Sequence, residues 1–144
     1  MKLDSTDHKI IQILEKNGRT PNKEIAARVS ISEGTVRNRI KKLIDSNFLT
    51  VKGLTNPELW IDKQVIFILV QLEITKNWKE IAQKVSELKA VKSVSMITGR
   101  FDLIIELFIE PHDLINFLTQ DLASVGNVSS TESLVTIKNF NKWV

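Results

Sequence analysis

The stretch "VIFILV", residues 65–70, constrains the fold of this chain more than any other. It is the longest unbroken apolar run, and it is far shorter than the roughly 20 residues that a membrane-crossing helix requires. Its surroundings, "QVIFILVQLEI" at 64–74, are rich in β-branched and aromatic residues, which predicts a strand. A strand with one face in water alternates apolar and polar residues. This one does not, and "LIIELFI" at 103–109 is interrupted only by Glu106. Both strands are therefore expected to bury both faces.

The segments around these runs set the topology. Trp78, Ile81, Ala82, Val85 and Leu88 recur at helical spacing. Val91 to Thr98 reads as a second strand, Gly99 as a tight hairpin turn, and Phe101 to Ile109 as a third strand. Pro111 opens a second helix carrying Leu114, Phe117, Leu118 and Leu122, and Gly126 ends it. Residues 129–140 supply a fourth strand. The order strand, helix, strand, strand, helix, strand is that of a ferredoxin-like βαββαβ domain. Its two helices cover one sheet face, and nothing in the chain remains for the other. A sheet-to-sheet homodimer is the expected solution.

The first third reads as three helices. Asp4 is suited to cap the first, and Asp7 places negative charge near its positive end. Ile10, Ile11 and Leu14 form the buried stripe, and Asn17-Gly18 is expected to stop the helix through a left-handed glycine. Thr20 is expected to cap the second helix, with Pro21 at its first position and Ile25, Ala26 and Val29 on its inner face. Ser32 caps the third, whose stripe is Val36, Ile40, Leu43 and Ile44. A short helix, the tight turn "SIS" and a longer basic helix make a helix-turn-helix. "FLTVKGLT", 48–55, has β-favouring residues and is expected to form a short wing-like strand. The whole is α+β: a helix-turn-helix domain at 1–52, a linker at 53–63 and a ferredoxin-like domain at 64–144.

Charge follows the same division. Residues 1–52 carry a net +5 and residues 53–144 a net −2. A basic first third attached to a mildly acidic remainder points to a polyanion partner for the first part, with double-stranded DNA the natural candidate for a helix-turn-helix. Down the axis of the third helix, Gly34, Asn38 and Lys41 lie opposite the stripe, flanked by Thr35, Lys42 and Arg37. Thr35, Arg37 and Asn38 suit base edges, whereas Ser32, Arg39, Lys41 and Lys42 suit phosphates. Arg39 has an alternative, an internal ion pair with an acid of the first helix such as Asp7.

Other chemistries find little support. There is no cysteine, and His8 and His112 stand far apart without companions at metal-ligand spacing. No phosphate loop, activated nucleophile or acid–base pair can be assembled, so neither catalysis, a metal nor a cofactor is expected. The N-terminus "MKLDSTDHKI" lacks the apolar core of an export signal, which points to the cytoplasm.

These motifs resemble the Lrp/AsnC family, the feast/famine transcriptional regulators. "LDSTDHKIIQILEKNGR" (3–19) is similar to its opening helix. "EIAARVSISEGTVRNRIKKLIDSNFL" (24–49) is similar to its helix-turn-helix, with Asn47 where the family often has glycine. "TGRFDLIIEL" (98–107) is similar to the Gly-x-x-Asp turn and strand of its regulatory domain. The resemblance implies sequence-specific DNA binding, a small effector, usually an amino acid, and dimers that assemble into octamers. It places the effector at Gly99, Arg100 and Asp102, joined by Thr131 and Ser133 of the last strand, across a subunit boundary. The rival readings are a DNA-organising protein without an effector and, further off, an enzyme built on the ferredoxin-like half.

Overall fold

A computed structural model describes residues 2–73 and 77–144. The chain divides into two compact units, 1–53 and 54–144.

The first unit is three helices. α1, Ser5–Lys16, begins in a reciprocal cap. Asp4 Oδ1 accepts from the Thr6 and Asp7 N–H groups at 2.9 and 2.8 Å, and Asp7 Oδ2 accepts from the Asp4 N–H at 3.1 Å. Three backbone donors at the start of the helix are thereby satisfied. The helix ends on Asn17 in extended conformation, with φ −152°, and not on a left-handed glycine as expected. The Asn17 side chain accepts from the Arg19 N–H at 3.0 Å and builds the turn itself. Gly18 has a packing reason instead: a Cβ there would lie 3.2 Å from Val51 Cγ1.

α2, Asn22–Val29, also starts differently from the sequence expectation. Thr20 does not cap it. Its hydroxyl donates to the Asn17 carbonyl at 2.7 Å in the preceding turn, and Pro21 takes the cap position with no side-chain bond. α3, Glu33–Asp45, is capped by Ser32. Ile10, Leu14, Ile25, Ala26 and Val36 make one core, with Ile13, Val29, Ile31, Ile40 and Leu49 packed around it. Ile11 is only half-buried and Ile44 is exposed, so the stripe is narrower than the apolar pattern. Asn47 adopts φ 55° after α3, which an asparagine tolerates, and the Phe48 and Leu49 N–H groups both return to the Leu43 carbonyl. The wing-like strand does not form: residues 49–56 are irregular. β-favouring residues need a hydrogen-bonding neighbour, and helices offer no free edge.

The second unit is a four-stranded antiparallel sheet of order β2-β3-β1-β4, with β1 Gln64–Leu72, β2 Val91–Met96, β3 Leu103–Ile109 and β4 Val128–Val135. Residue 74, the end of the first strand expected from the sequence, lies outside the described residues. α4, Trp78–Ser86, and α5 cover one face. α5 has α geometry at Leu114–Asn116 and Ala123–Val125, with a π-helical segment, Phe117–Leu122, between them. A 3-10 turn, Pro111–Asp113, precedes it. Ile66, Ile68, Val70, Leu103, Ile105 and Leu107 face Ile81, Val85, Phe117 and Leu122 across this core.

The opposite face is not bare, contrary to the expectation that the chain has nothing left to cover it. Trp60 stands edge-on to Phe108, with ring centroids 5.7 Å apart. Lys142 Nζ lies 2.6 Å from Glu106 and 5.8 Å from the centre of the Phe67 ring. Glu58 holds the tail in place, accepting from the Asn139 backbone and side-chain N–H groups at 2.8 Å each and from Lys138 at 2.7 Å. Thr55 and Val144 exchange two backbone hydrogen bonds. Phe67, Leu69 and Ile104 nevertheless remain partly exposed there. Among the described residues, no helix is long and apolar enough to cross a membrane.

Candidate DNA interface and candidate effector site

On α3 the first turn is organised from within. Ser32 Oγ accepts from the Thr35 N–H at 3.2 Å and lies 2.8 Å from Thr35 Oγ1, so both hydroxyls take part in the cap and one O–H of the two remains. Arg37 meets Glu33 at 3.3 Å and Lys41 meets Asp45 at 2.6 Å, each pair exposed and one helical turn apart. Such pairs contribute only a few tenths of a kcal/mol and open easily. Asn38 and Lys42 are exposed and have no hydrogen-bond or ion-pair partner among the described residues.

Arg39 takes the internal alternative. Its Nη1 donates to Asp4 Oδ2 at 2.7 Å and to Asp7 Oδ1 at 2.8 Å. Asp7 first and Asp4 second hold the guanidinium above its ordinary pKa. The Asp7 N–H, followed by Arg39, holds the Asp4 carboxyl below the usual carboxylate value. The cation thus ties the capped end of α1 to the flank of α3. A shallow cavity of about 470 Å³ beside this tie is lined by Thr35, Asn38 and Lys42, among others.

At one end of the sheet, the β2–β3 hairpin carries Gly99 at φ +123°, a conformation that side-chain-bearing residues rarely adopt. Asp102 stitches the hairpin to β1. Its N–H donates to the Val70 carbonyl at 2.9 Å, and its Oδ2 accepts from the Leu72 N–H at 2.8 Å. Arg100 is exposed, stacks 4.9 Å from the centre of the Phe101 ring, and reaches Glu132 of β4 at 3.0 Å. Thr131 and Ser133 sit opposite Val70 and Ile68 in the β1–β4 register. Residues alternate across a strand, so their hydroxyls and the Glu132 carboxylate lie on opposite faces. Within one copy, Gly99, Arg100 and Asp102 share the hairpin, whereas Thr131 and Ser133 do not join Arg100. Sequence reasoning missed Glu132, although a carboxylate between two hydroxyl residues on an edge strand was the available signal. Among the described residues, no cluster of three or more His, Asp or Glu could hold a metal ion.

The family model of the AsnC-type helix-turn-helix domain matches residues 3–44, and that of the Lrp/AsnC ligand-binding domain matches residues 65–142. The chain belongs to the Lrp/AsnC family. It is 33% identical over 137 residues to the HTH-type transcriptional regulator LysM of Sulfurisphaera tokodaii, covering 94% of this chain and 96% of that protein. It is 27% identical to the HTH-type transcriptional regulator FL11 of Pyrococcus abyssi, covering 96% and 91%. A transcriptional regulator of Neisseria meningitidis, solved in complex with L-Met, superposes with a TM-score of 0.76 at 29% identity over 98% of this chain and 94% of that one. As a member of the Lrp/AsnC family the chain is a DNA-binding transcriptional regulator with a ligand-binding domain, and its relatives are regulators, not enzymes.

Proposed function

We propose that this Lrp/AsnC regulator reads a specific DNA sequence through α3 and that a free amino acid, bound at the β2–β3 hairpin, adjusts its binding or assembly. What supports the DNA half most directly is the division of cations on α3. Arg39 is held by two acids, while Asn38 and Lys42 face outward without partners among the described residues. Asn38 suits adenine and Arg37 suits guanine, each by a bidentate bond, and Thr35 can present its methyl to thymine. Lys41, Lys42 and the Ser32 hydroxyl serve phosphates.

The effector half rests on the ligand-binding domain match, on the L-Met complex of the Neisseria relative, and on the chemistry of the hairpin. An amino acid needs acceptors for its ammonium and donors for its carboxylate. Asp102 bonds the Leu72 N–H through Oδ2, leaving Oδ1 for an ammonium. Arg100 and the Gly99 N–H supply donors. Thr131 and Ser133 would enter from a neighbouring copy, since within one copy they do not join Arg100. A homodimer, assembling further to an octamer, would provide that neighbour and cover Phe67, Leu69 and Ile104.

The test is a melting-temperature screen of the twenty common amino acids. A ligand at 100 times its Kd stabilises by about 2.7 kcal/mol, well within detection. Asp102→Asn keeps an oxygen for the Leu72 N–H and removes the charge, so it should fold normally and lose the response. If no amino acid shifts the parent protein, the effector reading fails and an effector-independent, DNA-organising role replaces it.

A further inference from the structure

We propose that Gly34 is the point at which α3 approaches DNA most closely, and that its missing side chain lets the helix seat deeply enough for Asn38 to reach the bases. The inference rests on the reading of α3 as the DNA-binding helix. Glycine in a helix loses more backbone freedom on folding than alanine does, and normally some feature of the fold compensates.

Each of the other glycines has a visible reason or no such cost. Gly18 is packed against Val51. Gly99 and Gly126 adopt positive φ, at 123° and 76°. Gly53 lies in irregular chain at the end of the first unit, where no helix is weakened. Gly34 is the one glycine inside a helix among the described residues, in the first turn of α3. Its φ is not positive, and a Cβ built there would meet nothing within 4 Å. The fold would accept alanine without a clash, so the reason for glycine lies outside the folded chain.

Its position says what approaches. Gly34 and Asn38 are four residues apart and share the face opposite the buried Val36 and Leu43. Thr35, beside Gly34, is drawn back into the Ser32 cap. The leading turn of the face is therefore smooth backbone, and the first projecting side chain with free donors and acceptors is Asn38. In helix-turn-helix proteins it is the N-terminal part of the reading helix that contacts base edges. A side chain at 34 would hold that turn off the groove.

The experiment compares Gly34→Ala and Gly34→Leu, both good helix formers, with the Lys41→Ala/Lys42→Ala double variant. All are full-length, and the probe is a duplex selected by the parent protein from a random-sequence pool. The proposal expects melting temperatures equal to the parent's or up to about 4 °C higher for both Gly34 variants. It expects affinity to fall on the order of tenfold for alanine and further for leucine. Parental affinity in both Gly34 variants with weakened binding in the double lysine variant overturns the proposal and leaves the α3 reading intact. Parental affinity in all three removes α3 from the DNA and takes the proposal with it. A lowered melting temperature in step with lost affinity would assign Gly34 to the fold, and would also overturn it.

Discussion

The two lysines of α3 stand in different electrostatic situations, and substituting around them should separate their contributions. Lys42 is exposed and has no partner among the described residues, so in free protein nothing competes for it. Lys41 lies 2.6 Å from Asp45, with side chains 72% and 60% exposed. Each lysine–phosphate contact releases counterions and contributes about 0.9 to the slope of log affinity against log salt on duplex DNA. Lys42→Ala should lower that slope by about 0.9 per bound copy, or about 1.8 for two copies on one site. Between about 50 and 200 mM salt, the gap between parent and variant should then shrink by about 3.5-fold per copy. Asp45→Asn acts in the opposite direction. An exposed pair of this kind is worth about 0.3–0.5 kcal/mol, so releasing Lys41 should tighten binding by about twofold with the slope unchanged. Fluorescence anisotropy at five salt concentrations measures both. A parental slope for Lys42→Ala, or weaker binding by Asp45→Asn, would refute the assignment of these lysines to phosphates.

Three further outcomes follow from the packing and the titrating groups. Ile105 is fully buried opposite Ile68, so Ile105→Ala should cost about 2–5 kcal/mol in denaturant unfolding followed by β-sheet circular dichroism; a cost below 1 would place it outside the core. Glu58 is held at about 2 by Lys138 and by both Asn139 N–H groups, below its ordinary 4.5, so it stabilises the attached tail above pH 4.5 and loses this as pH falls toward 2. Tryptophan emission should report tail release in that window, and Glu58→Gln should abolish the transition. Asp4 is likewise held below its ordinary 3.8, so its contribution is complete above that pH and disappears under stronger acid. Asp4→Asn keeps the capping oxygen but not the charge, and should flatten the acid limb of α1 unfolding seen by amide NMR.

The sequence carried those features that depend on periodicity and on a single chemical preference. Ile10, Leu14, Ile25, Val36 and Leu43 are buried where helical spacing puts them, Asp4 and Ser32 cap as their side chains allow, and the four strands follow in the expected order. It failed where one residue has two good options. Thr20 could cap α2 or close the preceding turn, and the Asn17 carbonyl was the nearer partner. The 48–55 segment favours β structure locally, but among the described residues only its last member, Thr55, finds a distant backbone partner, Val144. The π geometry of α5 was also hidden, although a trace was present: Phe117 and Leu122 are five residues apart and both fully buried, a spacing that an ideal α-helix turns to different faces. At the candidate effector site, the positions of Gly99 and Asp102 followed from the turn, whereas the Arg100–Glu132 pair depends on a register that no single strand encodes.

The cations of residues 1–52 divide unevenly between α3 and the rest once their partners are counted. α3 contains Arg37, Arg39, Lys41 and Lys42 against Glu33 and Asp45, and Arg39 is matched by both Asp4 and Asp7. The reading helix with its bound acids is therefore electrically neutral. The whole excess of +5 in residues 1–52 belongs to other positions, among them Lys2, Lys9, Lys16, Arg19, Lys23 and Lys52. A surface meant to coat DNA of any sequence would concentrate cations at the contact, because neutralised phosphates supply its affinity. The proposed contact surface instead offers directional groups, Asn38 and the readily freed Arg37, on a helix held by Val36, Leu43 and the Arg39 tie. On the proposed reading, the cations elsewhere in residues 1–52 would draw DNA in, and hydrogen bonds from Asn38 and Arg37 would decide which sequence stays. That separation favours a reader of sequence over a packager of DNA, and it makes Arg39 important to recognition without requiring it to touch a base.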